Sequence, residues 1–414
     1  MRSRRLIQAV IAVSMLLALQ QTASAQDWNQ WRGPTRDGVV PPAFATPAIW
    51  PESLTPVWKA TVGAGYSSPV VSGNTVYLLS RQDEREVVSA LDLATGKLLW
   101  QDAYDAPYTM SPPAVRHGPG PKSTPLVANG RLYTFGITET LSCYDAAKGK
   151  LIWRKQFSSQ FPKTSPTFGT AASPFLDRGL LIVHVGTQDN GALTAFDAAT
   201  GDVKWQWTGD GPAYASPIVV ELAGIRQVVT QSQSNIVAVS EKDGTLLWKL
   251  PFTTMSVQNI VTPLAYKDML VFSGLSKGVF AVKVAKGADG LTAETVWKND
   301  EVAMYMNSPL LKGDLLFGFS HKNRGQYFCL DATTGKTLWL GEPKQGENAA
   351  MLSVGAYVFG LDSNADLTVA KATGTALEIV KKYHVADSAT WAHPVPTSRG
   401  LLVKDANTLA LVKF

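Results

Sequence analysis

Seven side chains with functional chemistry are grouped around a recurring pattern: six lie at or next to the third residue before a proline, and one lies in the segment that leads to such a position. They are Tyr66, His117, Lys122, Tyr214, Asn259, Asn307 and Trp391. Lysine and histidine can donate hydrogen bonds to an anionic or carbonyl-bearing group, and Trp and Tyr rings offer flat apolar surface to an aromatic or sugar ring. The pattern itself requires none of these residue types, so we predict a binding site for a protein partner or a small molecule. The alternative is that they only fill the centre of the fold.

The longest segment outside the pattern, Gln101 to Ser123, contains two of these side chains, His117 and Lys122. Between them lies the run Gly118-Pro-Gly-Pro121, which stiffens the segment and lowers the cost of ordering it around a ligand. Segments of this length are usually functional or disordered. The aromatic residues within it favour order.

A metal centre or a catalytic carboxylate is not indicated. Aspartates recur at Asp92, Asp145, Asp197 and Asp331, but each stands alone with a glycine four residues later, and no second carboxylate lies at ligand spacing. An Asp followed by Gly at a chain reversal is typical of a turn, because the carboxylate accepts backbone N–H groups and glycine accepts a positive φ. We therefore predict turn capping, with no catalytic residue and no bound metal.

The repeat that positions these residues is represented by Ala90-Leu-Asp-Leu-Ala-Thr-Gly-Lys-Leu-Leu-Trp100. Related copies occur at 143–153, 195–205, 238–248 and 329–339. Each copy reads as two strands joined by a tight turn, and a Ser/Thr-Pro with two further apolar runs precedes it. Four short strands in a period of roughly 40 to 50 residues are the signature of a propeller blade.

Counting two degenerate copies near the carboxyl end gives eight blades, and the last copy ends before its fourth strand. Thr55–Ala60 supplies an isolated Trp-bearing strand at the other end of the domain. We predict an all-β, eight-bladed propeller of four-stranded antiparallel blades over residues 55–414. Pairing of the N-terminal strand with the C-terminal blade would close it and remove the open edge.

The first 25 residues read as a secretory signal peptide with a cleavage site near Ala25, because three arginines precede an apolar run and Ala23-Ser-Ala25 follows it. We expect a periplasmic or secreted protein that does not span the membrane and has no lipid anchor. Without the leader's arginines the formal charge falls from +5 to +2. That balance does not indicate nucleic-acid binding.

The two cysteines, Cys143 and Cys329, occupy the same repeat position in blades two and six, on opposite sides of an eight-bladed ring. A disulfide needs Cα atoms within about 7 Å. We therefore expect two buried free thiols.

Residues 26–54 form an arm outside the repeats, beginning Asp27-Trp-Asn-Gln-Trp-Arg-Gly-Pro34. One interpretation is a binding loop. The other, which we favour because aromatic side chains bury large areas, is an extended segment clamped along the propeller.

The phrases Ala90–Trp100 and Ala195–Trp205 resemble the repeat of the pyrroloquinoline quinone (PQQ) enzyme family. That resemblance implies an eight-bladed propeller and two possible functional branches. One consists of PQQ-dependent alcohol and sugar dehydrogenases, which use the quinone with Ca²⁺ and a pair of adjacent cysteines. The other is non-catalytic and typified by the propeller subunit of the outer-membrane β-barrel assembly machinery. Cys143 and Cys329 stand apart and no Cys-x-x-Cys-His is present. We therefore predict a non-catalytic exported binding or scaffold propeller with no cofactor, and keep the dehydrogenase as the alternative.

Overall fold

The computed structural model of the chain describes residues 27–42, 44–157, 160, 166–187, 189–288 and 290–414. The predicted signal peptide lies outside these described residues. Within them, 32 strands form eight four-stranded antiparallel sheets. The predicted eight-bladed propeller is therefore confirmed.

The strands are numbered in chain order, and each blade is described below from its inner to its outer strand. Blade 1 contains β2 (Val70–Ser72), β3 (Thr75–Gln82), β4 (Arg85–Asp92) and β5 (Leu98–Asp105). Blade 2 contains β6 (Leu126–Ala128), β7 (Arg131–Phe135), β8 (Thr140–Asp145) and β9 (Leu151–Gln156). Blade 3 contains β10 (Phe175–Asp177), β11 (Leu180–Thr187), β12 (Asn190–Asp197) and β13 (Val203–Trp207). Blade 4 contains β14 (Ile218–Leu222), β15 (Ile225–Gln231), β16 (Asn235–Ser240) and β17 (Leu246–Pro251).

The second half of the ring repeats this arrangement. Blade 5 contains β18 (Leu264–Tyr266), β19 (Met269–Ser273), β20 (Val279–Gly287) and β21 (Gly290–Asn299). Blade 6 contains β22 (Leu310–Lys312), β23 (Leu315–Ser320), β24 (Gln326–Asp331) and β25 (Thr337–Leu340). Blade 7 contains β26 (Ala349–Val354), β27 (Tyr357–Asp362), β28 (Asp366–Ala372) and β29 (Leu377–His384). Blade 8 contains β30 (Val395–Thr397), β31 (Gly400–Lys404), β32 (Thr408–Lys413) and β1 (Thr55–Thr61). Short 3-10 helices span Pro112–His117, Met255–Val257 and Lys322–Arg324.

Blade 8 closes the ring as predicted. Strand β1 pairs antiparallel with β32, from Thr55 opposite Lys413 to Thr61 opposite Thr408. The buried Lys404 ammonium reinforces the closure, because its Nζ donates to the carbonyl oxygens of Gly63 and Gly65 just beyond β1, at 3.1 and 3.0 Å. Thus the two ends of the domain are joined by both backbone and side-chain bonds.

The repeated Asp and Gly form the turn between the third and fourth strands of a blade, as predicted. In blade 1, the Thr95 N–H donates to Asp92 Oδ1 at 2.8 Å, and Gly96 has a φ of 68°. These contacts involve only the turn itself. The aspartate is therefore a capping residue here.

In six of the eight blades, the repeated Trp forms a hydrogen bond to the next blade. Trp100 Nε1 in blade 1 donates to Ala146 O in blade 2 at 3.0 Å, and the indole lies over the turn glycine, Gly149. The indole N–H makes the same kind of bond to the following blade from Trp58, Trp153, Trp205, Trp297 and Trp339.

Trp248 packs against the next blade, in one cluster with Leu270 and Phe272 of blade 5, but its hydrogen bond differs from that of the other tryptophans. Trp248 Nε1 donates to Gln227 Oε1 within its own blade 4. The β20–β21 hairpin of blade 5 is longer and turns between Gly287 and Gly290, so it does not present the usual turn carbonyl to Trp248.

The Ser/Thr-Pro landmarks form hydrogen bonds between neighbouring blades around the central channel. The Thr124 N–H of blade 2 donates to Ser173 Oγ of blade 3, and the Ser173 N–H donates to Ser216 Oγ of blade 4, both at 2.9 Å. Equivalent bonds join His393 to Ser68 and Thr262 to Ser308. The hydroxyl thus satisfies a buried backbone donor of the preceding blade.

Both cysteines are free and buried, as predicted. Cys143 lies opposite Trp153 in blade 2, and Cys329 lies opposite Trp339 in blade 6. Burial raises the pKa of the Cys143 thiol to about 11. Two protonated, inaccessible thiols fit a packing role.

The arm contacts the inner strands of several blades across the channel. Trp28 forms a β-bridge with Val71 of blade 1, and Val39 forms one with Ser353 of blade 7. Between them, the buried Arg36 donates to the Pro174 carbonyl oxygen of blade 3 at 3.0 Å. The clamped-segment interpretation is thus supported for this part of the arm, which fills the channel. In the described ranges no helix is long and apolar enough to cross a membrane.

Candidate functional site

The connectors from the outer strand of one blade to the inner strand of the next gather on one face of the propeller. They surround a cavity of about 320 Å³ at the channel mouth, called here the mouth pocket. Five of the seven predicted site residues line it: Tyr66, His117, Lys122, Tyr214 and Trp391. These residues come from four different connectors, so only the closed ring brings them together.

Aromatic rings dominate the wall of the mouth pocket. The centroids of His117 and Trp391 lie 4.7 Å apart in an edge-on arrangement, and Tyr66 lies 6.5 Å from Trp391. On the other side, the rings of Phe168 and Tyr214 are 5.8 Å apart, and the Tyr214 hydroxyl accepts the Phe168 N–H. The wall therefore offers ring edges and faces from several directions.

The arm supplies a further aromatic wall through Trp31. Its Nε1 donates to Thr262 Oγ1 at 3.1 Å, and its ring lies 4.4 Å from that of the buried His393. Burial, followed by the nearby Arg32 charge, lowers the pKa of His393 to about 3, so this imidazole is neutral. The arm therefore forms part of the wall of the mouth pocket.

The Gln101–Ser123 connector is docked on the ring. The backbone N–H groups of Tyr66 and Ser67 both donate to Pro121 O at 2.9 Å. A Cβ on Gly120 would lie 2.4 Å from the Gly65 Cα, so glycine is required for this close approach. The predicted stiff Gly-Pro-Gly-Pro run is therefore held directly against blade 1.

The same connector reaches across the mouth to the far rim. Arg116, in the 3-10 helix, makes a two-bond ion pair with Glu347 on the connector between blades 6 and 7; one bond, from Nη1 to Oε2, is 3.0 Å. Arg116 Nε also donates to His117 Nε2 at 3.2 Å. This pair fixes the position of the 3-10 helix at the mouth.

Lys122 lines the mouth pocket, and its Nζ donates to Phe168 O at 3.1 Å. Burial lowers the pKa of Lys122 to about 8, and the buried Glu86 partly offsets this. Burial also lowers the pKa of His117, with the charges of Arg116 and Lys122 acting in the same direction. At neutral pH the lysine is mostly charged and the histidine mostly neutral.

Asn259 and Asn307 are not among the pocket-lining residues. Asn259 Nδ2 donates to Ser232 O at 2.7 Å, and its Oδ1 accepts the Thr254 hydroxyl at 2.9 Å. Asn307 Nδ2 donates to Asn348 Oδ1 at 3.0 Å, and both amides are buried. These contacts give them a structural function in the wall of the channel, and a ligand-binding role stays a prediction.

Sequence reasoning missed several lining residues, notably Trp31, Arg116, Phe168, Gln258 and Tyr305. Trp31 lies in the aromatic segment at the start of the arm, ahead of the repeats, which was a usable signal. The others lie in connectors whose path across the mouth is visible only in three dimensions.

The mouth pocket does not fit the calcium and quinone pair of the dehydrogenase branch. Ca²⁺ prefers six to eight oxygen ligands, including carboxylates. Among the residues that the structure describes, no Asp or Glu lines the pocket, while Arg116 and Lys122 do. Among the described residues, no group of three His, Cys, Asp or Glu side chains could hold a metal. A carboxylate to act as general base is likewise not among the lining residues.

The fold, the repeat and the closed channel define a PQQ-like eight-bladed propeller. The chain belongs to the family described as "Outer membrane protein assembly factor BamB", whose sequence model matches residues 48–110 and 84–340.

Individual relatives come from both functional branches. The BamB of Shewanella oneidensis is 23% identical over 308 residues, which cover 68% of this chain and 75% of the relative. A polyvinylalcohol dehydrogenase of Sphingopyxis is 24% identical over 390 residues, covering 73% of this chain and 58% of the relative.

Solved structures agree on the fold. BamB from Moraxella catarrhalis has a TM-score of 0.64 at 15% identity, covering 87% of this chain and 100% of that chain. A quinohaemoprotein alcohol dehydrogenase from Pseudomonas putida has a TM-score of 0.65 at 15% identity, covering 94% of this chain and 80% of that chain. The two similarities are equal in strength, so fold alone does not choose between the branches.

Proposed function

We propose that this chain is an exported, non-catalytic propeller of the cell envelope that binds a ligand in its mouth pocket. The ligand carries an aromatic or sugar ring together with an anionic or carbonyl group. The observation that carries the proposal is the convergence of Tyr66, Tyr214 and Trp391 with the Lys122 ammonium on one recess. An export role agrees with the predicted leader, and a scaffold role in the envelope agrees with the name of the BamB relatives.

The chemistry of the recess supports binding without turnover. Its lining provides flat surfaces and one ammonium group. It does not include the carboxylate that would deprotonate a substrate hydroxyl. The alternative, a PQQ-dependent alcohol or sugar dehydrogenase, is supported by relatives of that class and opposed by these residues.

The binding proposal is tested with 1-anilinonaphthalene-8-sulfonate, a probe that combines aromatic rings with an anionic group. We expect saturable 1:1 binding to the wild-type protein and a loss of about tenfold or more in affinity for Lys122→Ala with Trp391→Ala, since one charged contact and one ring contact disappear. The melting temperature should stay nearly unchanged. Lys204→Ala with Trp207→Ala removes the same residue types from β13 and serves as the control. Undiminished binding in the mouth-pocket variant would place the ligand site elsewhere.

The catalytic alternative has its own assay. PQQ and Ca²⁺ are added to the purified protein, and alcohol- or sugar-dependent dye reduction is followed. We expect no turnover above that of the free quinone. Robust turnover that is lost in the Lys122→Ala, Trp391→Ala variant would favour the dehydrogenase.

A further inference from the structure

A second cavity, of about 570 Å³, lies beside the mouth pocket on the same face, and Tyr305 and Glu347 border it. The turn between β23 and β24 contributes Arg324, the connector to blade 7 contributes Lys344, and the turn between β27 and β28 contributes Asn364. We propose that this second cavity binds the phosphate group of a ligand through Arg324, Lys344 and Asn364.

Backbone hydrogen bonds join the two loops that carry these cations. The Lys344 N–H donates to Asn323 O at 3.0 Å, and the Gly346 N–H donates to Arg324 O at 3.3 Å. The two loops approach so closely that a Cβ on Gly325 would lie 2.0 Å from Gly346 O. The two loops therefore form one rigid unit.

The backbone conformation of this unit is strained at its charged residues. Arg324 has a φ of 62° and Lys344 a φ of 63°. Residues with a side chain are disfavoured in this left-handed region, and such conformations cluster at functional sites. Both residues thus hold this disfavoured conformation on loops that are bonded to each other.

No acid in the described part of the chain neutralises these two cations. Neither Arg324 nor Lys344 forms an ion pair there. The carboxylate that borders the cavity, Glu347, is engaged by Arg116. The cavity therefore presents two positive groups that remain available to a ligand.

A phosphate group suits this set of donors. Arginine and lysine bind phosphate oxygens through charge-assisted hydrogen bonds. Asn364 Nδ2 lies 3.4 Å from the point that a Cβ on Gly346 would occupy, so its amide lies beside the paired loops and adds a neutral donor. Donors from three loops can meet several oxygens of a tetrahedral anion at once. The cavity volume also leaves room for the group that the phosphate is attached to.

The test uses inorganic phosphate in isothermal titration calorimetry at low ionic strength, with the intact purified protein. We expect saturable binding that Arg324→Gln with Lys344→Gln weakens about tenfold or more, because two charge-assisted contacts disappear. Arg178→Gln with Lys267→Gln is the matched control. It also removes one Arg and one Lys at positive φ, 45° and 53°, but at turns between first and second strands on the opposite face.

A phosphate in this cavity could be free or part of a lipid headgroup. Co-sedimentation with phosphatidylglycerol vesicles distinguishes the sources: binding that is lost in Arg324→Gln, Lys344→Gln and competed by free phosphate indicates a headgroup. No binding of either probe, or equal binding by wild type and that variant, would overturn the proposal. The inference does not rest on the mouth pocket, whose dye binding should be unchanged in the variant.

Discussion

Trp31 Nε1 donates a hydrogen bond to Thr262 Oγ1 across a sequence separation of 231 residues. The bond ties the arm to blade 5 at the level of the Ser/Thr-Pro landmarks. It positions the indole in the wall of the mouth pocket. One side-chain contact therefore connects the segment before the propeller to the candidate ligand site.

A double-mutant cycle measures that bond. Trp31→Phe keeps most of the ring and loses the donor, and Thr262→Val keeps the shape and loses the acceptor. We expect each single change to lower the free energy of unfolding by about 1 kcal/mol, and the pair to be less destabilising than their sum by about 0.5–1.5 kcal/mol. Denaturant unfolding checks this. Additive effects would show that the bond is not formed.

Ring closure by β1 predicts a difference between two truncations. Deleting residues 26–60 exposes β32 as an unpaired edge, so we expect aggregation. Deleting residues 26–40 removes the channel segment and keeps β1, so we expect a soluble but less stable protein. Size-exclusion chromatography and thermal melting compare the two. If the protein lacking residues 26–60 is soluble and as stable as the one lacking residues 26–40, ring closure by β1 is not required.

Much of this architecture follows from periodic sequence signals. The Asp, Gly and Trp of Ala90–Trp100 recur because each blade needs the same turn and the same contact with its neighbour, so blade number and closure could be inferred. The path of the arm could not, because Arg36 and Trp31 are fixed by carbonyl and hydroxyl groups of blades 3 and 5. No repeating sequence pattern marks such contacts.

In the candidate site, too, some residues could be inferred from the sequence and others could not. Tyr66 and Lys122 could be found because they replace one another at a repeat position. Asn259 stands beside that position too, but it turns into the wall to satisfy Ser232 O. Repeat position gives the location of a residue, and only the packed structure gives the direction of its side chain.

A buried carboxyl predicts a pH dependence of stability. Glu139 accepts the Gly186 N–H at 2.8 and 2.9 Å, and burial raises its pKa from 4.5 to about 8. Between these values the folded state binds a proton that the unfolded state has lost. Stability therefore falls as pH rises from about 4.5 to 8, by at most roughly 1.4 kcal/mol per pH unit from this group.

The contribution of Glu139 is isolated by comparing the wild type with Glu139→Gln at each pH. The stability lost by the wild type relative to the variant should grow from pH 5 to pH 8. Glu378→Gln, which removes an exposed carboxylate, should not change the profile in this way. Parallel curves for the wild type and Glu139→Gln would contradict the raised pKa.

The contact between Trp100 and Gly149 predicts that two glycine substitutions in blade 2 lower the free energy of unfolding by different amounts. Gly149 and Gly130 have φ values of 67° and 71°, so alanine costs about 1–2 kcal/mol in backbone strain at either. A Cβ on Gly149 would also lie 2.4 Å from the Trp100 ring, whereas nothing lies within 4 Å at Gly130. We expect Gly149→Ala to lower the free energy of unfolding by a further ~1–3 kcal/mol, because the indole must move. In a Trp100→Ala background this difference should disappear. If it persists there, the glycine is required for the backbone conformation alone.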